Sequence, residues 1–116
     1  MGYRTFDQPS VENLKSIMGE DFKQIYRVYA RDSQSRMEQL EQQLSGRSVD
    51  FEKVRLLAHS LKGSSSNVGA LKMADLCYQL ERMAMEETIS TTFFPEIKSH
   101  YSQVKSELEG ILSATL

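Results

Sequence analysis

The side chains best suited to nucleophilic or ligand chemistry are few: two histidines, His59 and His100, and a single cysteine, Cys77. An imidazole can act as nucleophile, general base or metal ligand, and its charge ordinarily changes within the neutral range. The ligand role fails on spacing, because a metal site needs three or four such groups converging and these three lie far apart in the sequence. One cysteine allows no internal disulfide. What remains is His59, which stands in an unusual setting. In Ala58-His59-Ser60-Leu61-Lys62-Gly63-Ser64-Ser65-Ser66, a lysine follows the histidine by three residues and a glycine by four. On a helix both would lie one turn along from the imidazole. His100 has no comparable neighbours and reads as an ordinary surface or hydrogen-bonded core residue.

The elements that must hold His59 are helical. Only Pro9 and Pro95 interrupt the chain, both near expected helix starts, and no stretch keeps the alternation of a strand. A short helix is predicted over about 9–18, with Val11, Leu14 and Ile17 on one face. A long one follows over about 20–45, where Phe22, Tyr26, Tyr29, Ser33, Met37, Leu40 and Leu44 form a continuous stripe. Gly46 should end it, with Ser48 or Asp50 capping the next. The third helix, about 50–67, buries Phe51, Val54, Ala58, Leu61 and Ser65, and Gly69 offers a left-handed stop. A fourth, about 70–86, buries Met73, Cys77, Leu80 and Ala84, with Met83 and Met85 as further filler. Thr91 or Thr92 should cap the last, which presents Phe94, Ile97, Tyr101, Val104, Leu108 and Ile111. The fold class is therefore all-α, an antiparallel four-helix bundle with a short additional N-terminal helix. A single domain over 1–116 is expected, with the bundle core at about 20–112.

At roughly 100° per residue, the third helix turns His59 well over 90° from the centre of its buried stripe. Glu52, Leu56, Gly63 and Ser66 share its outer strip, with Lys62 at the side. The imidazole is placed for access. A glycine inside a helix costs about 1 kcal/mol relative to alanine. Gly63 therefore calls for a compensating role, such as letting a second protein come close.

Composition removes several classes. With 40% hydrophobic and 26% charged residues the chain reads as globular, and its net charge of −2 is interleaved and lacks a basic stripe for nucleic acid. No apolar run approaches bilayer length and the N-terminus lacks a secretory apolar region, so a cytoplasmic location and no membrane partner are expected. A monomer is expected too, since the apolar stripes are consumed within one bundle.

The segment from Ala58 to Ala70, Ala-His-Ser-Leu-Lys-Gly-Ser-Ser-Ser-Asn-Val-Gly-Ala, resembles the signature of histidine-containing phosphotransfer (HPt) domains, A-H-x-L-K-G-x-x-x-x-x-G-A. The likeness continues through Leu76-Cys77-Tyr78-Gln79-Leu80-Glu81, and upstream at Gly19-Glu20-Asp21-Phe22, covering about residues 10–86. It departs at Tyr29-Ala30-Arg31-Asp32-Ser33, where the family often carries an acidic or threonine-rich stretch. The resemblance implies a phosphorelay intermediary, expected as a stand-alone bacterial protein. His59 would accept a phosphoryl group from a receiver-domain aspartate and pass it to another receiver. By the same resemblance the partners would be the receiver of a hybrid sensor histidine kinase and that of a response regulator. Mg²⁺ would be supplied by the receiver, with no cofactor of the chain's own. Lys62 would offset phosphoryl charge, Gly63 and Ser66 would give clearance, and Glu81 would accept a hydrogen bond that orients the histidine. Leu56 and Arg55 would contribute to docking. The chain has no nucleotide-binding loop and should not phosphorylate itself. The competing reading is a helical adaptor that binds receivers without transfer, against which the intact His59-Lys62-Gly63 set counts.

Overall fold

The computed structural model describes residues 2–114. The helices are α1 (Gln8–Met18), α2 (Phe22–Leu44), α3 (Phe51–Asn67), α4 (Leu71–Met85) and α5 (Phe93–Ser113), with a 3-10 turn at Gly19–Asp21 between α1 and α2. No strand occurs among the described residues. Helices α2–α5 form an elongated bundle in which α3 and α4 make the most extensive contact, and the described residues together measure 47 × 21 × 20 Å.

Two of the helices begin where the apolar period meets a side-chain cap. The Asp7 side chain accepts from the Ser10 N–H at the start of α1, and Asp50 does so from Lys53 at the start of α3. The buried stripes follow the predicted spacing: Phe22, Tyr26, Tyr29, Ser33, Met37 and Leu40 on α2, and Val54, Ala58, Leu61 and Ser65 on α3. The two serines in these stripes have hydroxyl partners. The Tyr29 and Ser65 hydroxyls pair at 2.8 Å, and those of Ser33 and Tyr101 at 2.8 Å, tying α2 to α3 and to α5. Tyr26 donates to the Val68 carbonyl at 2.9 Å. Paired in this way, the hydroxyls avoid the penalty of an unmatched buried polar group.

Several expectations are corrected. Ile17 is 68% exposed, because the inner face of α1 runs through Val11, Leu14 and Met18, and Ile17 is turned roughly 100° away from Met18. Met85, at the final position of α4, is 63% exposed and is not core filler. The second helix begins at Phe22, after the 3-10 turn, and ends at Leu44 before reaching Gly46, where the Ser45 hydroxyl donates to the Glu41 carbonyl. Thr92 precedes α5 but makes no capping side-chain bond; its own N–H donates to the Ser90 hydroxyl. His100 is buried, and its Nε2 has no partner among the described residues. Burial, with Lys72 nearby, pushes its pKa down, so the ring is held neutral.

The N-terminal segment is strapped across the end of the bundle. The Glu107 carboxylate accepts from the N–H groups of Arg4, Thr5 and Phe6 and from the Thr5 hydroxyl, at 2.8–3.0 Å. The Asp7 N–H donates to the carbonyl of Gly69, whose φ is +85° and whose added Cβ would lie 2.7 Å from the Ser10 Cβ. Glycine is required there on both counts. Burial pushes the Glu107 carboxyl up, but the donors around it outweigh that and hold it below its usual range. Its stabilising contribution is therefore complete above the ordinary carboxylate range and is lost as pH falls through the lowered folded value. Glu107→Ala should cost about 1–3 kcal/mol at neutral pH, with the gap to the wild type closing under acid, as measured by urea unfolding across pH.

Candidate functional site

The site lies where α3 faces α4. The α3 stripe places Ala58 and Leu61 inside the bundle, fully buried, and turns His59 outward with its side chain 58% exposed. From α4, between the buried Leu80 and Ala84, Glu81 reaches across. Its Oε2 lies 2.9 Å from the His59 Nδ1 and its Oε1 lies 2.9 Å from the Lys62 Nζ. One carboxylate thus binds both groups of the motif.

Glu81 is nearly covered, its side chain 11% exposed. The hydrogen bond from Lys62 does most to hold its carboxyl below the usual range; partial burial works against this, and the bond to His59 adds to it. The group is therefore ionised at neutral pH. An ionised carboxylate can only accept, so the proton it contacts belongs to the His59 Nδ1. In the neutral imidazole the lone pair is then on Nε2, which has no partner among the described residues.

The remaining predicted positions surround this pair. Gly63 is exposed, and a Cβ built on it would meet nothing within 4 Å, so no close helix packing explains the glycine. Ser66 is exposed one turn further along, and Leu56 is 51% exposed one turn before His59. Arg55 turns to Glu52, donating from Nε at 2.9 Å and Nη2 at 2.5 Å, and its hydrogen bonds go there and not to His59. His100 belongs to the core and takes no part.

Two side chains that sequence reasoning did not single out also stand here. The Lys62 ammonium lies 5.4 Å from the centre of the Tyr78 ring. The Arg82 guanidinium lies 5.9 Å from the same ring and donates to the Tyr78 hydroxyl at 3.3 Å. The available signal was spacing: Tyr78 precedes Glu81 by three residues and Arg82 by four, so it neighbours each of them on the surface of α4. Among the described residues there is no cluster of three or more His, Cys, Asp or Glu able to hold a metal, and no helix is long and apolar enough to cross a membrane.

Residues 24–112 match the Hpt domain family. The chain belongs to that family. It is 28% identical over 104 residues to histidine-containing phosphotransfer protein 1 of Arabidopsis thaliana, covering 87% of this chain and 68% of that protein. Histidine-containing phosphotransfer protein 4 of the same plant is 26% identical over 118 residues, covering 98% of this chain and 92% of its own length. Among solved structures, the histidine-containing phosphotransfer protein B of Pseudomonas aeruginosa superposes with a TM-score of 0.88 at 23% identity, over 99% of this chain and all (100%) of that one. A maize histidine-containing phosphotransfer protein gives 0.80 at 20% identity, over 93% of this chain and 89% of its own. These structural likenesses confirm the all-α bundle. The family places the HPt chain in histidine phosphotransfer within two-component phosphorelay signalling, with receiver domains as the partner class.

If Glu81 fixes the tautomer, Glu81→Ala should move the His59 proton balance from Nδ1 toward Nε2. Ring ¹⁵N chemical shifts measure this directly. Unchanged shifts would remove Glu81 from the orienting role.

Proposed function

We propose that this HPt chain is a phosphorelay intermediary in which the His59 Nε2 takes a phosphoryl group from the aspartyl phosphate of one receiver domain and returns it to the aspartate of another. The observation that carries the reading is the contact of Glu81 with Nδ1, which leaves Nε2 as the free nucleophilic nitrogen on an exposed ring. In the forward step the Nε2 lone pair forms a bond to phosphorus while the bond to the aspartyl oxygen breaks, and the electron pair leaves with the carboxylate. No proton has to move. The ring keeps its Nδ1–H and becomes positively charged, and the Glu81 carboxylate stabilises that charge. Aspartyl phosphate, a mixed anhydride, and the phosphoramidate formed from it both have high transfer potential, so the exchange runs in either direction.

Catalysis of this kind is mostly positioning and charge stabilisation. Lys62 is the cation for the phosphoryl oxygens, and the receiver supplies Mg²⁺. Gly63 and Ser66 leave room for the receiver's active-site edge, while Leu56 and Arg55 border the docking area. The donor is the receiver of a hybrid sensor kinase and the acceptor that of a response regulator. The chain acts as a phosphocarrier without autokinase activity, as a cytoplasmic monomer.

The test mixes the purified protein with a phosphorylated receiver and Mg²⁺ and looks for acid-labile, alkali-stable phosphate. Wild type should be labelled and His59→Gln should not. Binding without label, across several receivers, would instead identify an adaptor.

A second expectation separates clearance from packing at Gly63. Because a Cβ there meets open space, Gly63→Ala should stabilise the bundle by about 0.5–1 kcal/mol. It should nevertheless slow transfer from a receiver. Thermal unfolding and transfer rate, measured together, check both halves; transfer at the wild-type rate would exclude the clearance role.

A further inference from the structure

Tyr78 has no part in the chemistry described so far. It is 43% exposed on α4, so core packing does not account for it. Its distinguishing feature is that both Lys62 and Arg82 lie within 6 Å of its ring centre, at 5.4 and 5.9 Å. Tyr78 and Glu81 are three residues apart on one helix and meet Lys62 from the same side. The ammonium therefore has two anchors of different kinds. Glu81 holds it through one of its three N–H donors, which leaves the others for an incoming phosphoryl oxygen. The ring attracts the ammonium by its electron-rich face and competes for no particular donor. A lysine is a compact charge on a flexible stem. As it swings toward a phosphoryl group, the neutral ring is a second anchor that keeps it beside the imidazole. Arg82 also donates to the Tyr78 hydroxyl at 3.3 Å, an exposed contact on which the ring's hold on Lys62 does not depend.

We infer that Tyr78 is a positioning residue for phosphoryl exchange at His59, acting through Lys62. The inference rests on the reading of His59 as phosphoacceptor.

The test uses two donors: phosphoramidate, which needs no docking surface, and a phosphorylated receiver. With phosphoramidate the electron pair of the breaking P–N bond leaves with ammonia as the bond to Nε2 forms. Tyr78→Leu should slow labelling by phosphoramidate about two- to five-fold, the size of an exposed cation–π contact. Tyr78→Phe, which keeps the ring, should stay near wild type. In a Lys62→Ala background, Tyr78→Leu should have no further effect. Circular dichroism of each variant confirms that the bundle is intact. Wild-type labelling of Tyr78→Leu by phosphoramidate, with only a raised half-saturating receiver concentration, would overturn the inference and make Tyr78 a docking residue. Equal losses with and without Lys62 would overturn it in favour of a purely structural role. No label on wild type from either donor would refute the His59 reading itself and this inference with it, whereas failure of the Tyr78 pattern on a labelled wild type refutes the inference alone.

Discussion

A helix that must bury Val54, Ala58, Leu61 and Ser65 leaves no freedom in where His59 goes. The four residues span the inner face of α3, and at about 100° per residue the histidine is carried to solvent. Truncating a buried leucine such as Leu61 typically costs about 2–5 kcal/mol, far more than any surface contact of the imidazole could return. The exposure of the reactive group is thus enforced by the core. No loop or lid is needed to present it.

Exposure alone would leave the ring free to rotate and to exchange its proton between nitrogens. The complementary constraint comes from α4, which brings a nearly covered carboxylate to the same spot. A lone buried carboxylate would be costly, but Glu81 has one oxygen on Lys62 and the other on His59. Satisfying Glu81 and orienting His59 are the same event. The hydroxyl pairs Tyr29–Ser65 and Ser33–Tyr101 extend this logic inward, since each fixes one helix against another by direction as well as by area. The Gly69 turn, gripped by Asp7 and backed by the Tyr26 bond to Val68, holds the far end of α3.

Much of this was legible in the residues. The period of the α3 stripe gave the direction of His59, and the outward aspect of Gly63 followed from the same rotation. Gly69 was readable as a left-handed stop because its position follows the last buried turn of α3. The parts that stayed hidden are those that need two elements at once. Glu81 was linked to His59 only through the family resemblance, and nothing in α4 alone says that it will be covered or that its second oxygen will meet Lys62. Ser33 and Ser65 sat correctly on buried faces, yet their tyrosine partners are 68 and 36 residues away. Ile17 and Met85 misled for a local reason. Each adjoins a residue on the inner face, Met18 packed on the core and Ala84 2% exposed, but is itself rotated off that face, and apolar character alone does not say which side it takes.

The same separation in sequence shapes how the site can fail. His59 and Glu81 stand 22 residues apart on different helices, and their 2.9 Å contact exists only while α3 and α4 keep their register. One residue along a helix is about 1.5 Å, which is half a hydrogen-bond length and enough to part the pair. These two helices make the most extensive contact in the bundle, and both bury small side chains, Ala58 on α3 and Cys77 and Ala84 on α4, where an added methylene would be felt. A modest change in that seam can therefore separate the nucleophile from its orienting carboxylate while the bundle remains folded. Precision at His59 depends on packing beneath the surface that presents it, so the chemistry is more sensitive to the α3–α4 seam than the fold is.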